Sequence, residues 1–255
     1  MAAAGVLAKP VRGLGSFCAL SLDILMEAVR PPFAWSEFLA QVSFIARVSV
    51  APAMLLTIPF SLIVVVHFGI LLNEIGAADL SGAGVGYSTV TQTGPIVTVF
   101  VVAGAAATAV CADLGARTIR DEIDAMKVMG IDPVRALLVP RVAALTLGAT
   151  LLNAIVCSVG MIASYFFAIF IQGVTPGAFA GSLTLLTGLS DTAVSFAKAA
   201  LFGLAAGLIA CYKGTTPSGG PQAVGNAVNE TVVFSFMALM FLLVVMDVFG
   251  EQVKL

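Results

Sequence analysis

The amino-acid sequence contains very little charge. Its 255 residues include 12 Lys and Arg and 14 Asp and Glu, so 10% are charged and 60% are hydrophobic. Water-soluble domains carry about a quarter charged residues, and the mean hydropathy here is +1.07. This composition excludes a soluble domain and predicts a membrane protein that crosses the bilayer several times. The net charge of −2 gives no indication of nucleic-acid binding.

Histidine and cysteine are also scarce, with one histidine and four cysteines. The cysteines lie in apolar surroundings without metal-ligand spacing, which predicts buried free thiols: Cys18, Cys111, Cys157 and Cys211. The sequence has no Walker loop, and a single histidine does not allow a Ser/His/Asp or metal constellation. We therefore predict no catalytic residue, no metal site and no cofactor-binding site in this chain.

Long apolar runs predict five transmembrane helices. They cover residues 50–72, 95–112, 142–172, 192–212 and 232–250. Residues 14–30 are too polar and too short to span a bilayer, and they predict an interfacial helix that lies on the membrane. The sequence thus indicates an all-α polytopic membrane protein, with an interfacial helix, five spans and one domain over residues 1–255.

Glycine and alanine mark particular places in this pattern. The small residues AGAAATAVCA in span two predict a helix that packs closely against others. Gly203 and Gly207 in span four form a G-x-x-x-G motif with the same meaning. The glycine-rich residues 73–93, between spans one and two, predict a connector made of turns.

Lys and Arg are unevenly distributed among the connecting segments, which predicts the orientation of the chain. Basic residues precede span one, lie between spans two and three, and follow span four: Lys9, Arg12, Arg30, Arg47, Arg117, Arg120, Lys127, Arg135, Arg141 and Lys213. The two opposite connectors have none, and only Lys254 lies on the other side. We expect the N-terminus in the cytoplasm and the C-terminus outside.

Charge is densest between spans two and three. Residues 111–140, CADLGARTIRDEIDAMKVMGIDPVRALLVP, hold five acidic and four basic side chains: Asp113, Asp121, Glu122, Asp124, Asp132, Arg117, Arg120, Lys127 and Arg135. Such a segment is either a solvated loop that only connects two spans or a helix that docks a soluble partner. The sequence pattern alone leaves both interpretations open.

Local signals in this segment predict a short amphipathic helix. Arg117 with Asp121, and Arg120 with Asp124, are spaced as i,i+4 pairs of opposite charge. Gly130 predicts the end of the helix. An N-cap at Asp132, followed by proline at the first helical position, predicts a new helix that enters the membrane.

Lys198 is a charged residue inside span four, near one end of the span. Its side chain could extend to the lipid headgroups for structural reasons alone. Alternatively, it could line a cavity that holds water or a lipid headgroup. Both interpretations remain open at this point.

One stretch of the sequence matches a known family. EIDAMKVMGIDPVRALLVPR, preceded by AGAAATAVCADLGARTIRD, resembles the signature of MlaE/YrbE permeases, the membrane subunits of MCE-type ABC lipid transporters. The segments GAADLSGAG, CADLGARTIR and GNAVNETVV are most similar to actinobacterial (mycobacterial) YrbE proteins. The resemblance extends over residues 47–249.

This resemblance implies a function and partners. Two permeases, in YrbE systems typically distinct paralogues, pair in the plasma membrane as a heterodimer, and MCE proteins lie on the outer side. A cytoplasmic ABC ATPase binds ATP and Mg²⁺ and engages a coupling helix, here residues 117–133. Carried onto this chain, the coupling positions are Arg117, Arg120, Asp121, Glu122, Asp124, Lys127, Gly130, Asp132 and Pro133. The resemblance implies movement of a sterol, fatty acid or other envelope lipid.

Two other functions compete with a lipid permease. A secondary carrier would work without an ATPase and would need a charged relay inside the bundle, and we identify no acidic residue in the middle of a span. A scaffold that anchors MCE proteins without transporting lipid would not depend on the coupling helix.

Overall fold

The computed structural model describes residues 2–30, 33–74, 76–77, 80–217 and 219–253. These residues are almost entirely helical and include no strand. The α-helices are α1 (Ala2–Ala28), α2 (Trp35–Glu74), α3 (Ser81–Ser88), α4 (Gly94–Val101), α5 (Ala107–Ile119), α6 (Glu122–Val128), α7 (Val139–Gln172), α8 (Pro176–Ser182), α9 (Leu189–Thr215) and α10 (Pro221–Val253). Three π-helical segments, Thr89–Thr93, Val102–Ala106 and Val134–Leu138, continue directly into α4, α5 and α7.

Five helices are long and apolar enough to cross a membrane. They are Trp35–Glu74, Ser81–Ile119, Val134–Gln172, Leu189–Thr215 and Pro221–Gly250. The second comprises α3 to α5, and the third comprises a π-helical segment and α7. The prediction of an all-α polytopic protein with an N-terminal helix and five spans is confirmed.

The helices are longer than the apolar runs in the sequence. The first spanning helix begins at Trp35 and not at residue 50, and Pro52 and Pro59 lie within it. The early part of this helix carries charge, which hides it from a search for apolar runs. The N-terminal helix covers Ala2–Ala28 instead of residues 14–30.

Spans two and four form the interior of the bundle. In the most apolar window of each, 61% of the residues are buried, compared with 11% in the last span. Ala106, Ala107 and Cys111 of span two are essentially inaccessible, as predicted from their small size. The large apolar side chains of α10, such as Phe241, remain exposed, as expected for a helix that faces lipid.

The glycine motif of span four lies where α9 meets α7. A Cβ atom on Gly203 would be 2.4 Å from the carbonyl oxygen of Leu145, and one on Gly207 would be 3.2 Å from Cα of Val142. The two backbones can approach this closely only because neither glycine has a side chain. The close packing predicted from the motif is confirmed.

The glycine-rich connector before span two is helical, so the prediction of turns is wrong for its described second half. Residues Ser81–Ser88 form α3, and Asp79 lies outside the described residues. A Cβ on Gly82 would be 2.3 Å from the carbonyl oxygen of Phe179, and one on Gly86 would be 2.8 Å from that of Leu183. These glycines therefore allow α3 to contact α8, and helix packing overrides their turn preference.

Candidate coupling site

The middle of the charged segment, residues 120–133, connects α5 to π-helical residues Val134–Leu138. The charged segment contains two consecutive helical pieces and not one helix over residues 117–133: α5 ends at Ile119, and α6 covers Glu122–Val128. Between them Asp121 has φ of +57°, in the left-handed region. Aspartate is one of the few residues other than glycine that adopt this conformation readily, so Asp121 sets the angle between the two pieces.

The end of α6 agrees with the prediction from Gly130. This residue has φ of +77°, and its N–H donates to the carbonyl oxygen of Lys127 at 3.0 Å. The N–H of Ile131 donates to the carbonyl oxygen of Met126 at 2.9 Å. These two bonds form a Schellman motif, which satisfies carbonyl groups at the end of a helix.

The predicted cap at Asp132 is also present. Its Oδ1 accepts a hydrogen bond from the N–H of Val134 at 3.0 Å, and its carbonyl oxygen accepts one from the N–H of Ala136 at 3.0 Å. Pro133 lies between these residues with φ of −67°. The chain therefore turns sharply after α6 and enters span three through a defined cap.

The two predicted ion pairs within this segment are wrong. Arg117 pairs with Asp113 at 3.4 Å instead of Asp121, and Arg120 pairs with Glu122 at 3.1 Å instead of Asp124. The break at Asp121 ends the regular i,i+4 spacing on which the predictions depended. Asp124 instead pairs with Lys127 at 2.7 Å.

Helix α6 presents apolar side chains as well as charges. None of its residues is buried, and Val128 and Met129 are 89% and 66% exposed. Ile131 is exposed next to them. No pattern in the sequence assigns a role to these three residues. An apolar patch surrounded by charge is typical of a surface that contacts another protein.

A buried ion cluster lies at the base of this segment. Arg141, in the first turn of α7, is fully buried, and its Nη2 donates to Oδ2 of Asp113 at 2.5 Å. Its Nη1 lies 3.4 Å from Oε1 of Glu37 in the first turn of α2 and donates to the carbonyl oxygen of Leu137 at 3.1 Å. The sequence predicts Arg141 only as one of the cytoplasmic basic residues and gives no indication of the cluster.

Lys198 occupies a second site, away from the charged segment. Its side chain is 5% exposed and forms an ion pair with Asp247 of α10. Both line a cavity of about 720 Å³, together with Tyr87, Thr91, Gln92, Asp191, Val194, Val248, Gly250 and Gln252. Gly214 lies close to α5 at the other end of α9. The distance along α9 from Lys198 to Gly214 is about 24 Å at 1.5 Å per residue. No pattern in the sequence indicates a role for Asp247.

The cysteines are free thiols, but their burial is not uniform. Cys111 and Cys211 are buried as predicted, and Cys157 is partly buried. Cys18 on α1 is exposed, so the prediction of burial is wrong for this residue. Within the described part of the chain, no group of three or more His, Cys, Asp and Glu side chains could hold a metal ion.

Comparison with known proteins identifies the family. Residues 38–249 match the family model described as permease MlaE. A probable ABC transporter permease protein of Rickettsia typhi is 23% identical over 91% of this chain and 90% of its own length. A probable ABC transporter permease protein of Synechocystis is 29% identical over 64% of this chain, and this match spans 62% of the Synechocystis protein.

A plant protein is also related. The protein TRIGALACTOSYLDIACYLGLYCEROL 1, chloroplastic, of Arabidopsis thaliana is 24% identical over 89% of this chain and 65% of its own length. The matched region of the family model includes all five spans, apart from the ends of the first and last helices, and the whole charged segment. The chain therefore belongs to the MlaE permease family.

Proposed function

We propose that this chain is the permease subunit of an MCE-type ABC transporter that moves lipid across the plasma membrane. A partner ATPase drives it through residues 117–133, and ATP and Mg²⁺ bind to that partner. The observation that carries the proposal is helix α6, which has no buried residue and combines charge with the exposed side chains of Val128 and of the adjoining Met129. This surface favours protein docking over a simple solvated connection.

The relatives support the same class of function. The Synechocystis and Rickettsia proteins are named as probable ABC transporter permeases, which fits a chain whose sequence contains no nucleotide-binding loop. The name of the Arabidopsis protein contains that of a galactolipid. For this chain we propose a lipid substrate, namely a sterol, a fatty acid or another envelope lipid, as the resemblance to mycobacterial YrbE proteins implies.

The proposed arrangement in the membrane follows from the basic residues. All Lys and Arg except Lys198 and Lys254 are predicted from the sequence to lie on the same side as residues 117–133, the coupling segment, so this side is proposed to be cytoplasmic. The N-terminus is then inside and the C-terminus outside, with α1 on the inner membrane surface. We propose that a distinct second permease completes a heterodimer and that MCE proteins bind on the outer side.

The mechanism requires a coupling between ATPase closure and lipid binding. Closure of the ATPase displaces α6, and the cap at Asp132 and Pro133 transfers this displacement to span three. The two permeases then pack differently and change the space available to lipid between them. Transport results only if lipid binds one arrangement more tightly than the other.

Charge reversal on α6 tests this function. In the variant Glu122→Lys/Asp124→Lys, we expect the ATPase to be lost from the purified complex. The new lysines would face the groups of the ATPase that accommodate the two carboxylates, and like charges brought together at an interface cost several kcal/mol. ATP-dependent transport in proteoliposomes should fall to background for NBD-labelled phosphatidylglycerol, radiolabelled oleate and radiolabelled cholesterol, whichever of them the wild-type complex moves.

Glu74→Lys is a matched control, since Glu74 is exposed at the far end of α2. This variant should retain both the ATPase and transport. If the double variant of α6 retained both the ATPase and transport, the proposal that the ATPase acts through α6 would be contradicted. Loss of the ATPase with full transport would instead favour a secondary carrier. A wild-type complex that binds the ATPase but moves none of the three lipids would favour the scaffold.

Lys198 is proposed as a contact for the lipid headgroup in its cavity. Lys198→Gln removes the positive charge but retains a hydrogen-bond donor, so we expect weaker transport of NBD-labelled phosphatidylglycerol with the ATPase still bound. Lys198→Arg keeps the charge and should retain more transport. Equal transport by wild type and Lys198→Gln at limiting lipid concentration would contradict a headgroup contact.

A further inference from the structure

The two ends of the coupling segment are tied to each other inside the bundle. Asp113 precedes the segment on α5, Arg141 follows it on α7, and their side chains are joined by a hydrogen bond of 2.5 Å. Arg117, one turn further along α5, adds a second ion pair to the same carboxylate. A displacement of α6 therefore cannot separate α5 from α7 without breaking an ion pair whose arginine is fully buried.

The same arginine reaches a third helix. Glu37, which lies 3.4 Å from Nη1 of Arg141, belongs to the first turn of α2, about 100 residues earlier in the sequence. Nε2 of Gln41 donates to Oε1 of Glu37 at 2.9 Å and fixes its position. The beginning of span one is thus linked to both ends of the coupling segment through one guanidinium group.

The geometry of Arg141 allows the cluster to rearrange. Its planar guanidinium holds five N–H donors in fixed directions. Its Nε is buried and has no hydrogen-bond partner among the described residues. A carboxylate that moves with α5 or α2 therefore has another buried donor available within the cluster. Burial strengthens the preference for a paired arrangement, because an isolated charge is costly away from water.

We propose that Glu37, Asp113 and Arg141 are positioning residues that transmit the movement of the coupling segment to span one. This inference rests on the proposed function, since it needs an ATPase that acts on α6. None of the three lies on α6 or lines the cavity at Lys198. They determine how much of the displacement of α6 reaches α2, and hence how much lipid is moved for each ATP hydrolysed.

Glu37→Gln is the variant that tests this role. Its side chain lies at the edge of the cluster and is 28% exposed, so loss of its charge should leave the fold intact. We expect the purified complex to retain its ATPase and its rate of ATP hydrolysis. The amount of labelled lipid moved per ATP should fall at least about fivefold, the lower end of typical coupling effects. The lipid is whichever of the three probes the wild-type complex transports.

Glu230→Gln provides a matched control. It also removes the charge of a glutamate paired between two helices, because Glu230 of α10 lies 2.5 Å from Nζ of Lys213 of α9. This pair does not connect the coupling segment to span one, so the lipid moved per ATP should remain at the wild-type value. Arg141→Lys is a second test, since a lysine keeps the charge but lacks the planar fork that holds two carboxylates.

The results separate this proposal from the proposed function. If the wild-type permease does not bind the ATPase, the proposal that the ATPase drives transport through α6 is wrong. The same holds if Glu122→Lys/Asp124→Lys changes neither ATPase binding nor transport. If those tests succeed but Glu37→Gln moves as much lipid per ATP as wild type, only the transmitting role of the cluster is wrong. Loss of ATPase or of thermal stability in Glu37→Gln, in proportion to its loss of transport, would also overturn it, because the cluster would then be merely structural.

Discussion

Asp113→Leu is expected to destabilise the permease by about 3–5 kcal/mol, the range for removing one partner of a buried ion pair. The variant leaves Arg141, which is fully buried, with only the more distant carboxylate of Glu37 as a charge partner. A guanidinium in this position cannot regain its hydration without opening the bundle. The midpoint of thermal unfolding in detergent should fall markedly, with less folded protein eluting as a single species.

Replacing the arginine of this pair instead of the aspartate should reduce the stability less. In Arg141→Met, the side chain of Asp113 is still 33% exposed and keeps Arg117 as a partner at 3.4 Å, so its charge remains solvated. Combining the two in Asp113→Leu/Arg141→Met should restore much of the stability, because a buried ion pair can often be replaced by apolar residues. Equal unfolding midpoints for wild type and Asp113→Leu would contradict the burial argument.

Gly203→Val is expected to separate α9 from α7. A Cβ at this position would lie 2.4 Å from the carbonyl oxygen of Leu145 and 2.7 Å from Cα of Thr146. Both obstacles are backbone atoms, which cannot move aside as a side chain can. We expect a cost of at least about 3 kcal/mol, the upper part of the range for overpacking, and a large loss of folded protein in fluorescence-detected size-exclusion chromatography.

Gly225→Val is the corresponding control in α10. This glycine is also helical, but a Cβ there would have no atom within 4 Å. The control measures the intrinsic effect of placing valine in a helix, which is below about 1 kcal/mol. A Gly203→Val protein that was as abundant and as stable as Gly225→Val would show that the two helices are not held at the distance described above.

Much of the coupling segment was predictable because its signals are local. Gly130, Asp132 and Pro133 end one helix and begin the next through their own backbone preferences and hydrogen bonds. The break at Asp121 was not predictable in this way, since aspartate adopts the left-handed conformation only in some contexts. That single residue invalidated both predicted ion pairs.

The two buried charge sites could not be found from local patterns. Arg141 and Asp113 are 28 residues apart in the sequence, and Lys198 and Asp247 are 49 apart. Each looks like an isolated charge next to or within an apolar run, and only the packing of the helices shows its partner. A charged residue inside a predicted span is nevertheless a signal, because it requires a partner or an aqueous space.

Glycine led to one confirmed prediction, the close packing in span four, and to one wrong prediction, the turns before span two. Gly203 and Gly207 were recognised by their spacing in a long apolar run, where close helix packing is the usual reason for glycine. Gly82 and Gly86 have the same spacing and the same role against α8. They lie among polar and small residues, which are also typical of turns, so the sequence favoured the wrong alternative.

The left-handed residues Asp121 and Gly130 separate α6 from the helices on either side, and none of the residues of α6 is buried. Under the proposed function, substitutions on its surface therefore change which ATPase it binds without disturbing the interior of the bundle. During evolution, the sequence of α6 can therefore change independently of the sequence of the bundle. Exchanging residues 122–128 between related permeases should then redirect a transporter to another ATPase while its substrate pathway stays the same.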